Sequence, residues 1–103
     1  MRLIEDVSNV KGMVVFWCPG CNINHSIYTQ EADIKNKHRW SWNGSYEKPT
    51  FSPSLLVRRT HGESNEKVVC HSFIRNGYWD YGKDCTHDLA GKMIPMVDMD
   101  QEN

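Results

Sequence analysis

The chain has 103 residues, a net charge of −1 and a pI near 6.5. That size bounds it to one domain with a modest core. The charge balance excludes the strongly basic field that recruits nucleic acid or anionic membranes, so Arg58-Arg59 and the basic run from Lys35 to Arg39 read as solvated faces. No apolar stretch approaches the roughly 20 residues that cross a bilayer. Met1-Arg2-Leu3-Ile4-Glu5-Asp6 carries two acids where a secretion signal would be apolar. The expectation is a cytoplasmic protein whose four cysteines stay reduced.

In chain order, Met13-Val14-Val15-Phe16-Trp17 is rich in strand formers and Ile23 to Thr29 alternates loosely, so the two predict a hairpin around Cys18-Pro19-Gly20-Cys21. Gln30 to Arg39 is too polar for an amphipathic helix and reads as a surface loop. Trp40-Ser41-Trp42 places both indoles on one strand face, and Asn43-Gly44 signals a turn. Pro49 and Pro53 forbid a helix interior, so Glu47 to Ser54 reads as an extended loop feeding the apolar strand Leu55-Leu56-Val57. The segment after Met96 is polar and acidic, and residues 97–103 are expected to fray. The fold class is therefore mostly β: a single domain over residues 1–103, an antiparallel sheet or sandwich of five to seven short strands with little helix.

Asn76-Gly77 supplies the best register argument. With those two residues as the turn, Arg75 opposes Tyr78 and the ladder runs back to a pair between Cys70 and Lys83. Opposed residues share a face and faces alternate. Cys70, Ser72 and Ile74 then lie with Trp79, Tyr81 and Lys83, and Cys85 and His87 follow if the strand persists. His71 points the other way, toward Gly82 and Asp84.

The cysteines fit a metal better than a redox role. A redox Cys-x-x-Cys opens a helix, whereas Asn22 to Ile27 does not read as one. Zinc takes thiolate and imidazole in a tetrahedron, and the Cys18/Cys21 turn forms a zinc knuckle whose other half lies in Cys70, Cys85 or His87. Adjacent Cys70 and His71 cannot both reach one ion from a regular strand. The first choice is Cys18, Cys21, Cys70 and His87, with Cys85 and then His25 as rivals for the fourth place. Four such ligands close the site, which makes it one structural Zn2+ per chain.

Several motifs together carry a resemblance that covers nearly the whole chain. They are Cys18-Pro19-Gly20-Cys21 with a nearby histidine, Trp40-Ser41-Trp42-Asn43-Gly44, Pro49-Thr50-Phe51-Ser52-Pro53-Ser54, Cys70-His71-Ser72-Phe73-Ile74, and Asp84-Cys85-Thr86-His87-Asp88-Leu89-Ala90-Gly91. In this order they resemble a family of small proteins of tailed phages and prophages. Its members often carry the label ammonia monooxygenase, which belongs to a membrane enzyme. The same family is similar to a predicted peptidase domain of bacterial operons that encode ubiquitin-like conjugation proteins. The resemblance implies peptide or isopeptide cleavage and a protein or peptide partner.

For such chemistry Ser54, rigidly placed after Pro53 at the mouth of a strand, is the candidate nucleophile, His71 the base, and Asp84 (or Asp80) its orienter. Ser72 lies instead on the Cys70 face. A metallo version would use His71 or His87 with cysteines, and Asp84 or Glu63 as base, but it lacks the helical His-Glu-x-x-His pattern. The non-enzymatic alternative is a zinc-stapled accessory protein presenting Trp40, Trp42, Tyr78 and Tyr81 to a host protein, for counter-defence or host takeover.

Overall fold

A computed structural model describes residues 1–60 and 62–100. Among the described residues the chain forms nine strands and no helix. They are β1 (Glu5–Asp6), β2 (Met13–Cys18), β3 (Ile23–Tyr28), β4 (Ser41–Trp42), β5 (Phe51–Ser52), β6 (Leu55–Thr60), β7 (Lys67–Arg75), β8 (Tyr78–Tyr81) and β9 (Met93–Pro95). The count exceeds the five to seven expected because β1, β4 and β5 are two residues long, too short for any periodicity to register. Pairing within the sheets is antiparallel throughout, in the orders β1-β2-β3, β4-β5 and β6-β7-β8-β9.

The β2–β3 hairpin pairs Cys18 with Ile23 and Phe16 with His25. Val14, Phe16 and Cys18 are buried, and so are His25 and Ile27 across from them, so this face is the inner one. The left-handed residue that closes the turn is Asn22, with φ of 62°, and its N–H donates to the Cys18 carbonyl at 2.7 Å. Asn tolerates that conformation because its short polar side chain bonds locally. Gly20 serves a different need: a side chain there would run into the ring of His87.

The β7–β8 register is Arg75↔Tyr78, Ile74↔Trp79, Phe73↔Asp80 and Ser72↔Tyr81, with positive φ at both Asn76 and Gly77 as a tight hairpin requires. Cys70, Ser72, Ile74, Trp79 and Tyr81 are all buried on one face. The expected extension is corrected, since the ladder stops at Tyr81 and no Cys70–Lys83 pair forms. Gly82 N–H still reaches the His71 carbonyl at 2.8 Å, but the chain then turns, with Cys85 N–H on the Gly82 carbonyl at 3.2 Å. Cys85 and His87 thus approach β7 from a loop rather than by continued alternation.

Between the sheets, Phe16 stacks on Phe51 at 5.7 Å and meets Trp79 at 5.6 Å, and Trp79 stacks on Tyr81 at 5.1 Å. Tyr81 is buried, and Trp40 and Trp42 lean on the core. Of the four aromatics considered for a presented surface, Tyr78 alone is exposed. Gln30 to Arg39 is irregular, as expected, although Ala32 is buried. Of the segment expected to fray, Met99 N–H bonds the Arg2 carbonyl at 2.7 Å, while residues 101–103 lie outside the described residues. Among the described residues no helix is long and apolar enough to cross a membrane.

Candidate functional site

Strand β7 carries one set of polar residues on each face. Its outer face holds His71, directly opposite Leu56 on β6. Opposed residues share a face, and so do residues two apart, which sets Ser54 diagonally beside His71. Ser54 Oγ lies 3.2 Å from His71 Nε2, and His71 Nδ1 lies 3.1 Å from Asp84 Oδ2. Hydroxyl, imidazole and carboxylate therefore form one continuous hydrogen-bonded chain. Asp80, the other orienter considered, pairs instead with Arg75 at 3.0 Å.

The surroundings hold this chain in place. Trp40 Nε1–H donates to the Ser54 carbonyl at 3.3 Å. His71 N–H donates to Cys85 Sγ at 3.3 Å, and the Cys85 thiol donates to the His71 carbonyl at 3.1 Å, so one side chain holds both backbone groups of His71. Gly82 lets the carboxylate fold back, because a Cβ there would stand 2.5 Å from Asp84 Oδ1. The Asp84 side chain is 59% exposed, and an ion pair so wetted adds little stability.

The inner face holds Cys70. Cys18, Cys21, His25 and Cys70 bring one donor atom each to within 4.8 Å of one another, and all four cysteines are free thiols. Cys18 and Cys70 sulfurs are 3.9 Å apart. Two thiolates each ~2.3 Å from a tetrahedral zinc stand about 3.8 Å apart, so the spacing suits such an ion. Cys21 N–H at 3.3 Å and Tyr81 Oη at 3.1 Å bond Cys18 Sγ. Donation from the Cys70 thiol, opposed by burial but joined by Tyr81, holds the Cys18 thiol far below its ordinary range. Burial and the adjacent Cys18 charge push Cys21 up, and donation to Cys18 together with burial pushes Cys70 up. A divalent ion would supply the positive charge that favours the deprotonated sulfurs. His25 Nε2 is buried with no hydrogen-bond partner, an orphan that a metal would satisfy.

His25 completes the four-residue group with Cys18, Cys21 and Cys70, in the place for which His87 was the first choice and His25 a rival. His87 groups with Cys70 and Cys85 instead, its ring edge-on to Tyr81 at 4.6 Å. Its Nδ1 accepts the Leu89 N–H at 3.2 Å, and its Nε2 is buried with no partner. Cys85 is committed to the His71 backbone. The signal for His25 was available in the hairpin: once Cys18 pairs with Ile23, Phe16 pairs with His25, and His25 must share the Cys18 face. Of the ligands considered for the metallo alternative, His71 belongs to neither donor group among the described residues, while His87 groups with Cys70 and Cys85. Ser72 is buried on the Cys70 face with no partner for its hydroxyl. The clamp by Cys85 and the Trp40 bond to Ser54 were not anticipated, and nothing in the spacing announces either.

The site therefore combines a hydroxyl–imidazole–carboxylate chain on one face of a β sheet with a three-cysteine, one-histidine cluster on the other. A family described as bacterial ubiquitination-like system serine protease (BubE) matches residues 2–81, and the chain belongs to that family. The matched span includes Ser54, His71 and all four residues of the cysteine–histidine group, and ends just before Asp84. No curated protein and no solved structure matches the chain.

Proposed function

We propose that the chain is a serine peptidase in which Ser54 is the nucleophile, His71 the general base and Asp84 the residue that orients the base. The observation that carries this reading is the unbroken path Ser54 Oγ–His71 Nε2 and His71 Nδ1–Asp84 Oδ2, at 3.2 and 3.1 Å, on residues outside the metal group. Such a path is what nucleophilic acyl transfer requires. His71 Nε2 accepts the Ser54 proton as Oγ attacks the substrate carbonyl. Asp84 holds the Nδ1 proton and stabilises the imidazolium that results. As the tetrahedral intermediate collapses, His71 passes the proton to the leaving amine and an acyl-serine remains. A water activated by the same imidazole then releases the acid and restores Ser54.

Cys18, Cys21, His25 and Cys70 would hold one zinc whose contribution is structural, tying the β2–β3 hairpin to β7. The thiolate-rich donor set is a poor Lewis acid, so the nucleophile comes from a side chain. The family's ubiquitination-like setting favours a substrate in which a ubiquitin-like protein is joined to a further peptide or amine.

Linear and branched fusions of a ubiquitin-like protein test the reading. Wild-type protein is expected to cleave them and to be labelled at Ser54 by a fluorophosphonate, whereas Ser54→Ala and His71→Ala lose cleavage with zinc content unchanged. Cleavage by Ser54→Ala at the wild-type rate would overturn it.

A further inference from the structure

The four-stranded sheet is open along β6, which has a partner strand on one side alone among the described residues. Which of its backbone groups face outward follows from β7. The carbonyls of Val69 and His71 accept from Thr86 N–H at 2.9 Å and Gly82 N–H at 2.8 Å, away from β6. Backbone polar groups alternate in direction along a strand, so Val68, Cys70 and Ser72 turn theirs toward β6. Their partners there are Arg59, Val57 and Leu55. Leu56 and Arg58 are left with N–H and C=O directed at the open edge. Ser54 has the same parity, and its outward carbonyl is the one that meets the Trp40 indole at 3.3 Å. The side chain assigned as nucleophile thus stands at the head of an unpaired edge, with its base on the β7 side.

The side chains around this edge have a definite chemistry. Leu56 is 48% exposed and Phe73 37% exposed, and both share the outer face with Ser54 and His71. Further along, a groove is lined by Arg58, Arg59 and Lys67 with no acidic residue among its lining. Arg58 and Lys67 also lie on the outer face, since Lys67 opposes Thr60. Unpaired strand edges template the addition of another strand, and peptide recognition by strand addition takes affinity from the main chain and selectivity from alternate side chains.

We propose that an extended, acidic segment of the substrate adds as a further strand along the outer edge of β6, pairing with the backbone of Leu56 and Arg58. Its apolar side chains lie over Leu56 and Phe73 and its carboxylates meet Arg58 and Lys67, which delivers the scissile carbonyl to Ser54. This rests on the serine-peptidase reading and names the substrate's form: an unfolded acidic tail, recognised through its backbone, rather than a folded surface.

The test uses wild-type protein and a set of fluorogenic acidic peptides, each N-methylated at one amide. Strand addition predicts an alternating pattern, in which methylation of every second amide lowers kcat/KM by about tenfold, the order expected when a backbone hydrogen bond is lost, and methylation of the amides between them does not. Arg58→Pro removes an outward donor while leaving the β6–β7 ladder donors in place, and is expected to reduce kcat/KM on the unmodified peptide by a similar factor. Replacing Arg58 and Lys67 together by Glu is expected to reverse the preference from acidic to basic peptides. Fluorophosphonate labelling of wild-type Ser54 separates the two levels. Absence of labelling overturns the peptidase reading and this inference with it. Labelling accompanied by a flat N-methyl profile, or by no cleavage of any extended peptide, overturns the inference alone.

Discussion

At the scale of single residues, the two histidines nearest the cysteines divide by what their nitrogens already do. Each has a buried Nε2 with no partner, but His25 groups with Cys18, Cys21 and Cys70, whereas His87 accepts a backbone N–H at Nδ1 and rests on Gly20. His25→Ala should therefore lower zinc affinity by more than the roughly 10–100-fold that an outer partner costs. Tyr81→Phe, which removes the 3.1 Å bond to Cys18, should fall within that range, and His87→Ala should keep one zinc per chain. Competition with a chromophoric chelator measures all three. If His87→Ala loses the metal and His25→Ala retains it, the assignment is reversed. Gly82 offers a parallel test on the other face. Gly82→Ala should displace the Asp84 carboxylate and lower kcat as far as Asp84→Ala does, with zinc content unchanged, because the defect lies in the orientation of His71 rather than in the metal cluster. A Gly82→Ala enzyme with wild-type kcat would remove Asp84 from the proposed path.

At the scale of elements, β7 places a metal-group cysteine and the proposed base in consecutive positions, Cys70 facing in and His71 facing out. Strand alternation makes this possible without either interfering with the other. It also ties their fates together, since anything that frees Cys70 loosens the segment on which His71 is mounted. Removal of zinc by a chelator should abolish peptidase activity although no step passes through the metal, and readdition of zinc should restore both activity and near-UV circular dichroism. Activity that survives full zinc removal would separate the two faces. The legible part of the fold lies at this scale as well. Asn76-Gly77 specified a register that holds over all four pairs of the β7–β8 ladder, because a two-residue turn with both residues left-handed leaves the strands no other alignment. From that register alone His71 separates from Cys70 and turns toward Gly82 and Asp84. The end of β8 was not legible. Nothing in Tyr81-Gly82-Lys83 states that the chain turns away once Gly82 has made its last bond to β7, and so Cys85 and His87 reach Cys70 from a loop rather than along a continued strand.

At the scale of the whole molecule, the arrangement of the sheets decides the cluster's membership, and this lay beyond any local pattern. Cys18, Cys21 and His25 come from the β2–β3 hairpin and Cys70 from β7 in a different sheet, so the fourth ligand depends on how the two sheets face each other. That contact is otherwise made by apolar packing, with Phe16 between Phe51 and Trp79. A chain of 103 residues buries a limited core, and an ion that binds the native chain but not the unfolded one adds stability by mass action. Stability should therefore rise with free zinc by about 1.4 kcal/mol for each tenfold increase above the dissociation constant, seen as a thermal midpoint that climbs steadily across a series of zinc buffers. Ser54→Ala, altered on the outer face only, should follow the same line. Cys70→Ser, which removes the one member of the four-residue group that lies in the four-stranded sheet, should start lower and respond weakly. A wild-type midpoint independent of free zinc, in protein shown to contain none, would mean that the apolar contact alone joins the sheets and that the cysteine–histidine group has no part in holding the fold.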